Sequence, residues 1–439
     1  TWQTSGDVVW TINPTTVFNV RGSWSKITDS FAAPEVEIGE AGLEKLWPGN
    51  KWYASHVRDI PQVYHPRIDV RAESTSQYGR FGYWYQEPKT YNIDAKVSKQ
   101  AGRHYLKIGH QYRAQRVNAA RPRGITFTFR PEETANTLFA PATATVGHAY
   151  ASMMLGSIGG GEVTTVPVNR PNVDVYGFYF HDDFKINQRV TLNIGFRYEY
   201  ETALRDSEYR LSRYMDFGQE LTDLKNAMGP FPAQALALRN QPLAINGAWI
   251  FTDPNNRGTW NPDSNNILPR AGVAIRLNDR TALRIGYARY AAPPIQGRDA
   301  TGSHSFLDPL GSTPYPGFTA TTNPLSVLEG IPRARLADPF PSSGANSNPL
   351  IEPRGKAAGI YSVVGTSEGS FFRQDFRQGI NDRINFSLQR ELVSRIMMDA
   401  TFFMNLGRDH SLDTQINNAD PRIGFAAQAA TTQSVANPY

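Results

Sequence analysis

The chain has 439 residues and no cysteine, which excludes a disulfide framework, a cysteine-ligated metal and a thiol nucleophile. Hydrophobic residues make up 40% of the sequence and aromatic residues 12%. No apolar run approaches the roughly 18 residues that a membrane-spanning helix needs. The formal net charge of +5 is a mild excess spread along the chain, so we expect no nucleic-acid partner.

Ten segments of the chain alternate strictly between apolar and polar residues. The clearest of them, residues 190–202, alternates residues such as Ile194 and Phe196 with Arg197 and Glu199. A helix would scatter these residues around its circumference, whereas a strand places them on two opposite faces. We therefore predict ten strands, at 8–13, 16–27, 90–98, 104–113, 173–184, 190–202, 270–276, 282–290, 383–390 and 396–405.

The predicted strands are joined in two different ways. Within each of five hairpins the link is two to five residues long, whereas the links 28–89, 117–172, 203–266 and 294–380 are very long. Links beyond about 12–15 residues are uncommon in compact domains. Short turns at one end and long loops at the other are typical of outer-membrane barrels, whose turns face the periplasm. The predicted fold is an all-β, antiparallel transmembrane β-barrel, with residues 1–439 as part of one barrel and no plug domain.

Alternation by itself also fits a soluble β-sandwich, in which the apolar faces would meet in a dry core. The difference in loop length favours lipid on the apolar side, and so do tyrosine and tryptophan residues near the strand ends. A soluble or surface-exposed β-sandwich binding protein nevertheless remains an alternative. The aromatic residues predicted to lie at the membrane interfaces are Trp10, Trp24, Tyr198, Tyr200 and Tyr287.

The polar faces of the strands carry charged residues, which would line the water-filled interior of a barrel. Such residues tune the selectivity of a channel or transporter. The plainer interpretation is that any water-facing wall is polar and contains cross-strand charge pairs. The candidates for a substrate path are Asp94, Lys96, Arg113, Arg197, Glu199, Arg270, Arg276 and Arg284.

Motifs for catalysis or metal binding are weak. Residues 365–369 match the G-x-S-x-G pattern, but they lie in a long loop and no helix start follows them. Asp263, Asn265 and Asn266 resemble part of a calcium loop without its glycine and distal glutamate. We therefore predict no catalytic residues, no metal site, no cofactor and no enzyme activity. Within the loops, residues 220–227 and 233–239 are predicted to form short helices.

One stretch carries a family resemblance: VYGFYFHDDFKINQRVTLNIGFRYEYE, residues 175–201, resembles the Oar-like branch of TonB-dependent receptors. Looser similarities lie at residues 265–294 and 384–421. The resemblance implies an outer-membrane location, with lipid as a partner. It also implies a plug domain and an inner-membrane TonB complex, both outside this chain, and energy-coupled uptake of a large nutrient such as a peptide, glycan or chelate.

A plugged transporter barrel has about 22 strands, and ten are predicted here. We therefore expect this sequence to be part of a longer receptor. A passive porin-type channel, which needs no energy coupling, is the other alternative. The sequence does not identify the extracellular ligand.

Overall fold

Ten long antiparallel strands form one continuous sheet. The computed structural model describes residues 1–31, 37–58, 62–71, 75–79, 84–120, 125–134, 147–163, 170–209, 211–227, 246–292, 318–319, 327–328, 331–332, 335–341, 371–393 and 396–410. The strands are β1 (Trp2–Asn13), β2 (Thr16–Lys26), β3 (Trp84–Ala101), β4 (His104–Ala120), β5 (Asn172–Lys185), β6 (Val190–Glu201), β7 (Ile267–Asn278), β8 (Thr281–Ala291), β9 (Ile380–Val393) and β10 (Ile396–Arg408). Each strand pairs with the next in chain order. The prediction of an all-β, antiparallel fold with these ten strands is confirmed.

Several strands are longer than predicted. β1 begins at Trp2 instead of residue 8, and β3 and β4 extend to Trp84 and Ala120, where Tyr85 still pairs with Ala120. The predicted loops 28–89 and 117–172 were therefore too long. The alternation of apolar and polar residues is lost near Pro88, but the backbone hydrogen bonds between the two strands continue beyond it. A short strand, Asp29–Phe31, pairs with this extended part of β3.

Within the described residues four short turns lie where they were predicted, and asparagine side chains stabilise three of them. The fifth predicted turn includes residues 394–395, which lie outside the described residues. The Oδ1 atom of Asn13 accepts a hydrogen bond from the backbone N–H of Thr15 at 3.0 Å. Asn187 accepts from the N–H groups of Arg189 and Val190, and Asn278 accepts from that of Arg280. Asparagine favours turns because its side chain satisfies a backbone donor two residues later.

The described sheet is open. Among the described residues β1 pairs only with β2, and β10 pairs only with β9. Closure into a barrel is therefore not observed in this part of the chain, and it remains a prediction.

The loops between the hairpins contain secondary structure of their own. A small sheet contains the strands Phe318–Thr319, Gly160–Val163, Thr126–Phe129, Arg67–Arg71 and Thr75–Tyr78, in that order. Arg67–Arg71 and Thr126–Phe129 run parallel, although they come from different loops. The other loop strands form two hairpins, Ser212–Glu220 with Asn246–Phe251 and Val327–Leu328 with Ile331–Pro332.

The loop helices are short. They are Gly39–Leu46, Ala54–Val57, Ala149–Met154, Thr222–Ala227 and the 3₁₀ turn Pro131–Thr134. Thr222–Ala227 confirms the helix predicted at 220–227, whereas residues 233–239 lie outside the described residues. Within the part of the chain that the structure describes, no helix has the length and apolarity required to cross a membrane.

Two buried clusters hold the loops together at the end of the sheet opposite the turns. The first cluster contains Leu43, Trp47, Trp52, Tyr53, Val63, Ile125, Phe127, Phe129, Ile158, Val163 and Phe340. The second contains Val173, Val175, Ala203, Leu204, Leu211 and Trp260, with Phe372 and Phe376 packed against them. We call this set of packed loops the loop layer. Its core is distinct from the apolar face of the long strands.

Tyr53 should make the loop layer sensitive to high pH. Burial, followed by a hydrogen bond to Glu44, raises the pKa of the Tyr53 hydroxyl to about 12. In the unfolded chain this hydroxyl loses its proton near pH 10. As the pH rises, the unfolded chain loses this proton before the folded protein does, which stabilises the unfolded state. The contribution of Tyr53 to stability is therefore lost between about pH 10 and about pH 12.

We expect Tyr53→Phe to remove this part of the pH dependence. Limited proteolysis monitors the unfolding of the loop layer in the variant and in the wild type. The pH is raised from about 8 to about 12 in steps on the order of one unit. Identical pH profiles for the two proteins would contradict the assignment to Tyr53.

Candidate substrate-facing wall

The long strands form a sheet with one apolar and one polar face. Across β5 to β10, six apolar residues lie directly opposite one another in a single row: Phe184, Leu192, Val273, Ile285, Phe386 and Phe402. The side chains of Ile285 and Phe402 are 41% and 59% exposed. We call this side of the sheet the apolar face. A large exposed apolar surface of this kind marks a contact with lipid or with another protein.

The structure places all eight predicted substrate-path residues on the opposite side, which we call the polar wall. Strand pairing groups most of them in three rows, because residues directly opposite each other share a face. The first row is Asp94, Gln111, Gly177 and Glu199; the second is Lys96, Gly109, Tyr179 and Arg197; the third is Gly195, Arg270, Ala288 and Arg383.

The remaining three predicted residues lie on the same side. Arg113 is opposite Val175, in a row that continues to Glu201. Arg284 is opposite Ser387, and Arg276 lies near the turn between β7 and β8. The role of these eight residues in a substrate path stays a prediction.

Arg197 is the centre of the best-defined contact on the polar wall. Its Nε donates to Glu199 at 2.7 Å, and its Nη2 donates to Gln111 at 2.9 Å. Both charged side chains are more than four-fifths buried. A charge-assisted, partly buried pair is held more firmly than a surface pair. The hydrogen bond from Arg197 to Gln111 links β6 to β4 across Gly177 of β5.

Glycine allows these long side chains to lie flat on the wall. A Cβ atom on Gly177 would come within 2.3 Å of Arg197 Nη2, and one on Gly109 within 2.3 Å of the Tyr179 ring. Large side chains that cover glycines on a neighbouring strand help to stabilise curved sheets. The alternation pattern identifies these glycines as part of the polar face, but it does not indicate which side chains cover them.

Near the turns the polar wall contains a second polar cluster, whose residues were not among the predicted site residues. Asp183 accepts a hydrogen bond from Asn193, lies 2.8 Å from His181 Nε2 and lies 3.7 Å from Lys107 Nζ. A cavity of about 290 Å³ adjoins it, lined by Gln100, Arg103, Tyr105, Asp183 and Lys185. In the sequence, the spacing of two residues between His181 and Asp183 indicates that both lie on the same face of β5, and this spacing could have predicted the cluster.

The wall of β7 to β9 is mainly basic. The guanidinium groups of Arg270 and Arg383 lie 5.1 Å and 4.8 Å from the centroid of the Tyr290 ring. Arg276 and Arg284 lie on the same wall of β7 and β8. Cations over an aromatic face are attracted by its quadrupole, which here helps to hold two arginines close together.

The five predicted interface aromatics all lie on the apolar face. Near the turns Trp10 pairs with Phe18, and towards the loops Trp24 pairs with Tyr91. Tyr287 lies directly opposite Ala271, and Tyr198 lies directly opposite Ile267. Tyr200 belongs to a row of three tyrosines with Tyr176 and Tyr112, whose ring centroids are 5.1 to 6.4 Å apart. Tyr91, Tyr112 and Tyr176 lie on the same face and were not among the predicted interface aromatics, although each occupies an alternating position of its strand.

Of the two weak motifs, the calcium-loop-like residues lie in the described part of the chain, where they have a structural role. Asp263 Oδ1 accepts from the N–H of Asn265, and its Oδ2 accepts from that of Gln378, so this carboxylate organises the loop before β7. Residues 365–369 lie outside the described residues. Among those described, no group of three or more His, Asp or Glu side chains is arranged to hold a metal ion.

Three solved structures of outer-membrane proteins are weakly similar to the chain. No curated protein sequence matches the chain. The outer membrane transporter YddB from Escherichia coli is 12% identical, with 92% of this chain and 34% of that chain covered and a TM-score of 0.41. The Ferric-Catecholate import receptor Fiu from E. coli K12 is 10% identical, with coverages of 95% and 42% and a TM-score of 0.39. The ferric yersiniabactin uptake receptor FyuA from Yersinia pestis is 8% identical, with coverages of 94% and 36% and a TM-score of 0.35.

The chain therefore spans between 34% and 42% of the length of these solved structures. The family comparison covers more of the sequence, since all of residues 1–439 match the family described as Outer membrane beta barrel domain. This match agrees with a sheet that has one apolar and one polar face and whose apolar face is exposed. The chain belongs to the outer membrane beta-barrel domain family, and its location is the bacterial outer membrane.

Proposed function

We propose that this chain forms part of the wall and the outer loops of a TonB-dependent transporter that takes up a large nutrient. In this proposal the sheet closes with further strands, the apolar face contacts lipid and the polar wall faces the interior. The loop layer captures the ligand outside the cell. A plug inside the barrel then opens the path when the inner-membrane complex supplies energy.

The observation that carries the proposal is the loop layer at one end of a sheet with a charged wall. Large ordered loops with a buried core can present a stable binding surface, because function often resides in loops positioned by a rigid scaffold. The resemblance of residues 175–201 to TonB-dependent receptors supports energy coupling. The basic wall of β7 to β9 favours a partner that presents anionic groups.

Buried polar contacts tie segments of different loops to one another. Arg213, which is 8% exposed, donates to the backbone oxygen of Gly258 at 2.8 Å and to Gln374 Oε1 at 2.7 Å. The side-chain amide of Gln374 donates in turn to the backbone oxygens of Arg213 and Thr259. These contacts join the loop after β6 to the segment before β9, so a ligand bound to one would also act on the other.

A conductance measurement separates a plugged transporter from a passive porin without knowledge of the ligand. The protein is purified at its full natural length from the outer membrane and inserted into a planar lipid bilayer in potassium chloride. We expect no steady open conductance, because a plug closes the barrel. Stable open channels in most insertions would favour the porin alternative and overturn the proposal.

Energy coupling is tested in cells by comparing two deletions, one of the gene for this protein and one of the TonB gene. Each strain grows with a peptide mixture, a glycan mixture or a ferric chelate as its limiting nutrient. We expect both deletions to give the same growth defect on one nutrient class. A defect on deletion of this gene that is absent on deletion of TonB would contradict energy-coupled uptake.

A further inference from the structure

Basic side chains form a row on the apolar face, where the long strands approach the loop layer. Lys26, Lys89 and Arg116 lie directly opposite one another on β2, β3 and β4. Adjacent strands are about 4.8 Å apart, so the three residues start within about 10 Å of one another. Like charges directly opposite each other on a sheet are destabilising. A row of three cations therefore calls for anionic groups to balance it.

Two carboxylates on the same face of the sheet supply part of this balance. Glu87 contacts Lys26 at 2.6 Å and Lys89 at 2.8 Å, and Asp174 contacts Arg116 at 2.6 Å as well as Arg205. The side chains of Glu87 and Asp174 are only 11% and 9% exposed. The four basic side chains are 24% to 40% exposed. The acids are thus covered and the cations form the outer layer, and among these six groups the bases exceed the acids by two.

The position of the row along the strands is that of a membrane interface. Lys26 is eleven residues beyond the turn residue Thr15, and Arg116 is thirteen beyond Arg103. A β-strand crosses a bilayer in about 9–11 residues. On the turn side of the row, the next positions of the same face hold Trp24 and Tyr91, and the tyrosine row that begins with Tyr112 lies one position further towards the turns. Aromatic residues mark the level of the lipid headgroups, so the cations lie at or just beyond that level.

The same arrangement recurs on the last three strands. Asp382 on β9, with a side chain 15% exposed, contacts Arg289 on β8 at 2.8 Å and Arg408 on β10 at 3.8 Å. The hydroxyl of Tyr287 donates to the same carboxylate at 2.7 Å. Arg289 lies nine residues beyond the turn residue Arg280, again about one membrane crossing away.

We propose that the row of Lys26, Lys89 and Arg116, with Arg205, binds the phosphorylated headgroup of a lipid in the outer leaflet. The loops of a barrel lie on the extracellular side, so this end of the strands faces that leaflet. Lysine and arginine form strong, charge-assisted hydrogen bonds to phosphate oxygens. Basic surfaces beside membrane-spanning segments bind anionic headgroups in the same way. The inference depends on the apolar face being in lipid, and it does not depend on energy-coupled transport.

The test measures binding of bisphosphorylated lipid A in mixed micelles to the full-length protein, by native mass spectrometry. We expect Lys26→Gln/Lys89→Gln/Arg116→Gln to weaken binding roughly a hundredfold, since each basic residue near an anionic surface contributes about fivefold. The control Lys45→Gln/Lys51→Gln/Arg257→Gln removes the same charge from exposed positions of the loop layer and should bind like the wild type. Removal of the phosphates from the glycolipid should weaken its binding to the wild type to the level seen with the variant.

A second variant addresses folding, because the triple variant leaves Glu87 without the two lysines that contact it. Lys26→Gln/Glu87→Gln/Lys89→Gln removes those cations together with their acid, and it should also weaken lipid A binding. Slower migration after heating on a denaturing gel checks that each variant is folded. Folded variants that bind lipid A as tightly as the wild type would overturn the inference, as would equal binding of the dephosphorylated lipid.

Discussion

Phe402→Arg is expected to destabilise the protein in its membrane by about 2–4 kcal/mol, which is the cost of arginine on the lipid face near the bilayer midplane. Phe402 lies on the apolar face, opposite Phe386, and its side chain is 59% exposed. It is the seventh residue of β10, so it lies near the middle of the strand. The free energy of unfolding in lipid vesicles, measured with denaturant, tests this expectation.

The neighbouring residue provides a matched control. Thr401 lies on the polar wall opposite Ser387, and its hydroxyl donates to Asp399 at 3.0 Å. Thr401→Arg introduces the same side chain at the same depth, but into water and beside a carboxylate. We expect a change within about 0.5 kcal/mol, as for ordinary surface substitutions. Equal costs for the two variants would mean that the two faces meet the same solvent, and the membrane orientation would be wrong.

Phe127→Ala is expected to destabilise the loop layer by about 3–5 kcal/mol, the usual cost of truncating a buried aromatic side chain. Phe127 is 1% exposed, and its ring centroid lies 6.0 Å from that of Trp47 and 5.9 Å from that of Trp52. It lies on the central strand of the small loop sheet. Limited proteolysis of intact outer membranes should therefore cleave the loops of the variant much faster than those of the wild type.

Tyr78→Ala is the control for this prediction. Tyr78 lies on the edge strand of the same small sheet and is 57% exposed, so its truncation should leave loop cleavage close to the wild-type rate. The long strands of both variants should keep their resistance to unfolding in detergent, because the buried cluster around Phe127 belongs to the loops. Equal cleavage of the two variants would show that the loop layer has no cooperative core.

The two predictions separate the two parts of the molecule. Phe402→Arg acts on the apolar face of the long strands and leaves the loop core intact. Phe127→Ala acts on the loop core and leaves the apolar face intact. A transporter of the proposed kind requires both parts, since one anchors the protein in lipid and the other carries the outer binding surface.

The long strands were predictable because their signal is local. A residue such as Ile194 or Arg197 is assigned to a face by its neighbours two positions away, and four of the five short turns contain or directly follow an asparagine or a glycine. The eight charged wall residues and the five interface aromatics could therefore be assigned to opposite sides of the sheet. The strand ends were less predictable, because pairing continues past Pro88 where alternation has ceased.

Contacts across the sheet depend on strand register, which alternation does not specify. The Arg197 contact with Gln111 and the cluster around Asp183 bring together residues from different strands. The row of Lys26, Lys89 and Arg116 likewise appears only when three strands are aligned. One residue of register shift would move each of these side chains to the other face.

The sequence by itself determined which residues form the long strands, where the short turns lie and which face of each strand is apolar, because period-two alternation is read over a few residues. Only the tertiary structure revealed the core of the loop layer, in which Trp52 packs against Phe340 and Trp47 donates to the backbone oxygen of Leu336 at 2.7 Å. Those partners are nearly 290 residues apart in the chain. Such a core has no period along the sequence, since each loop contributes a few apolar side chains that become buried only when the sheet brings the loops together.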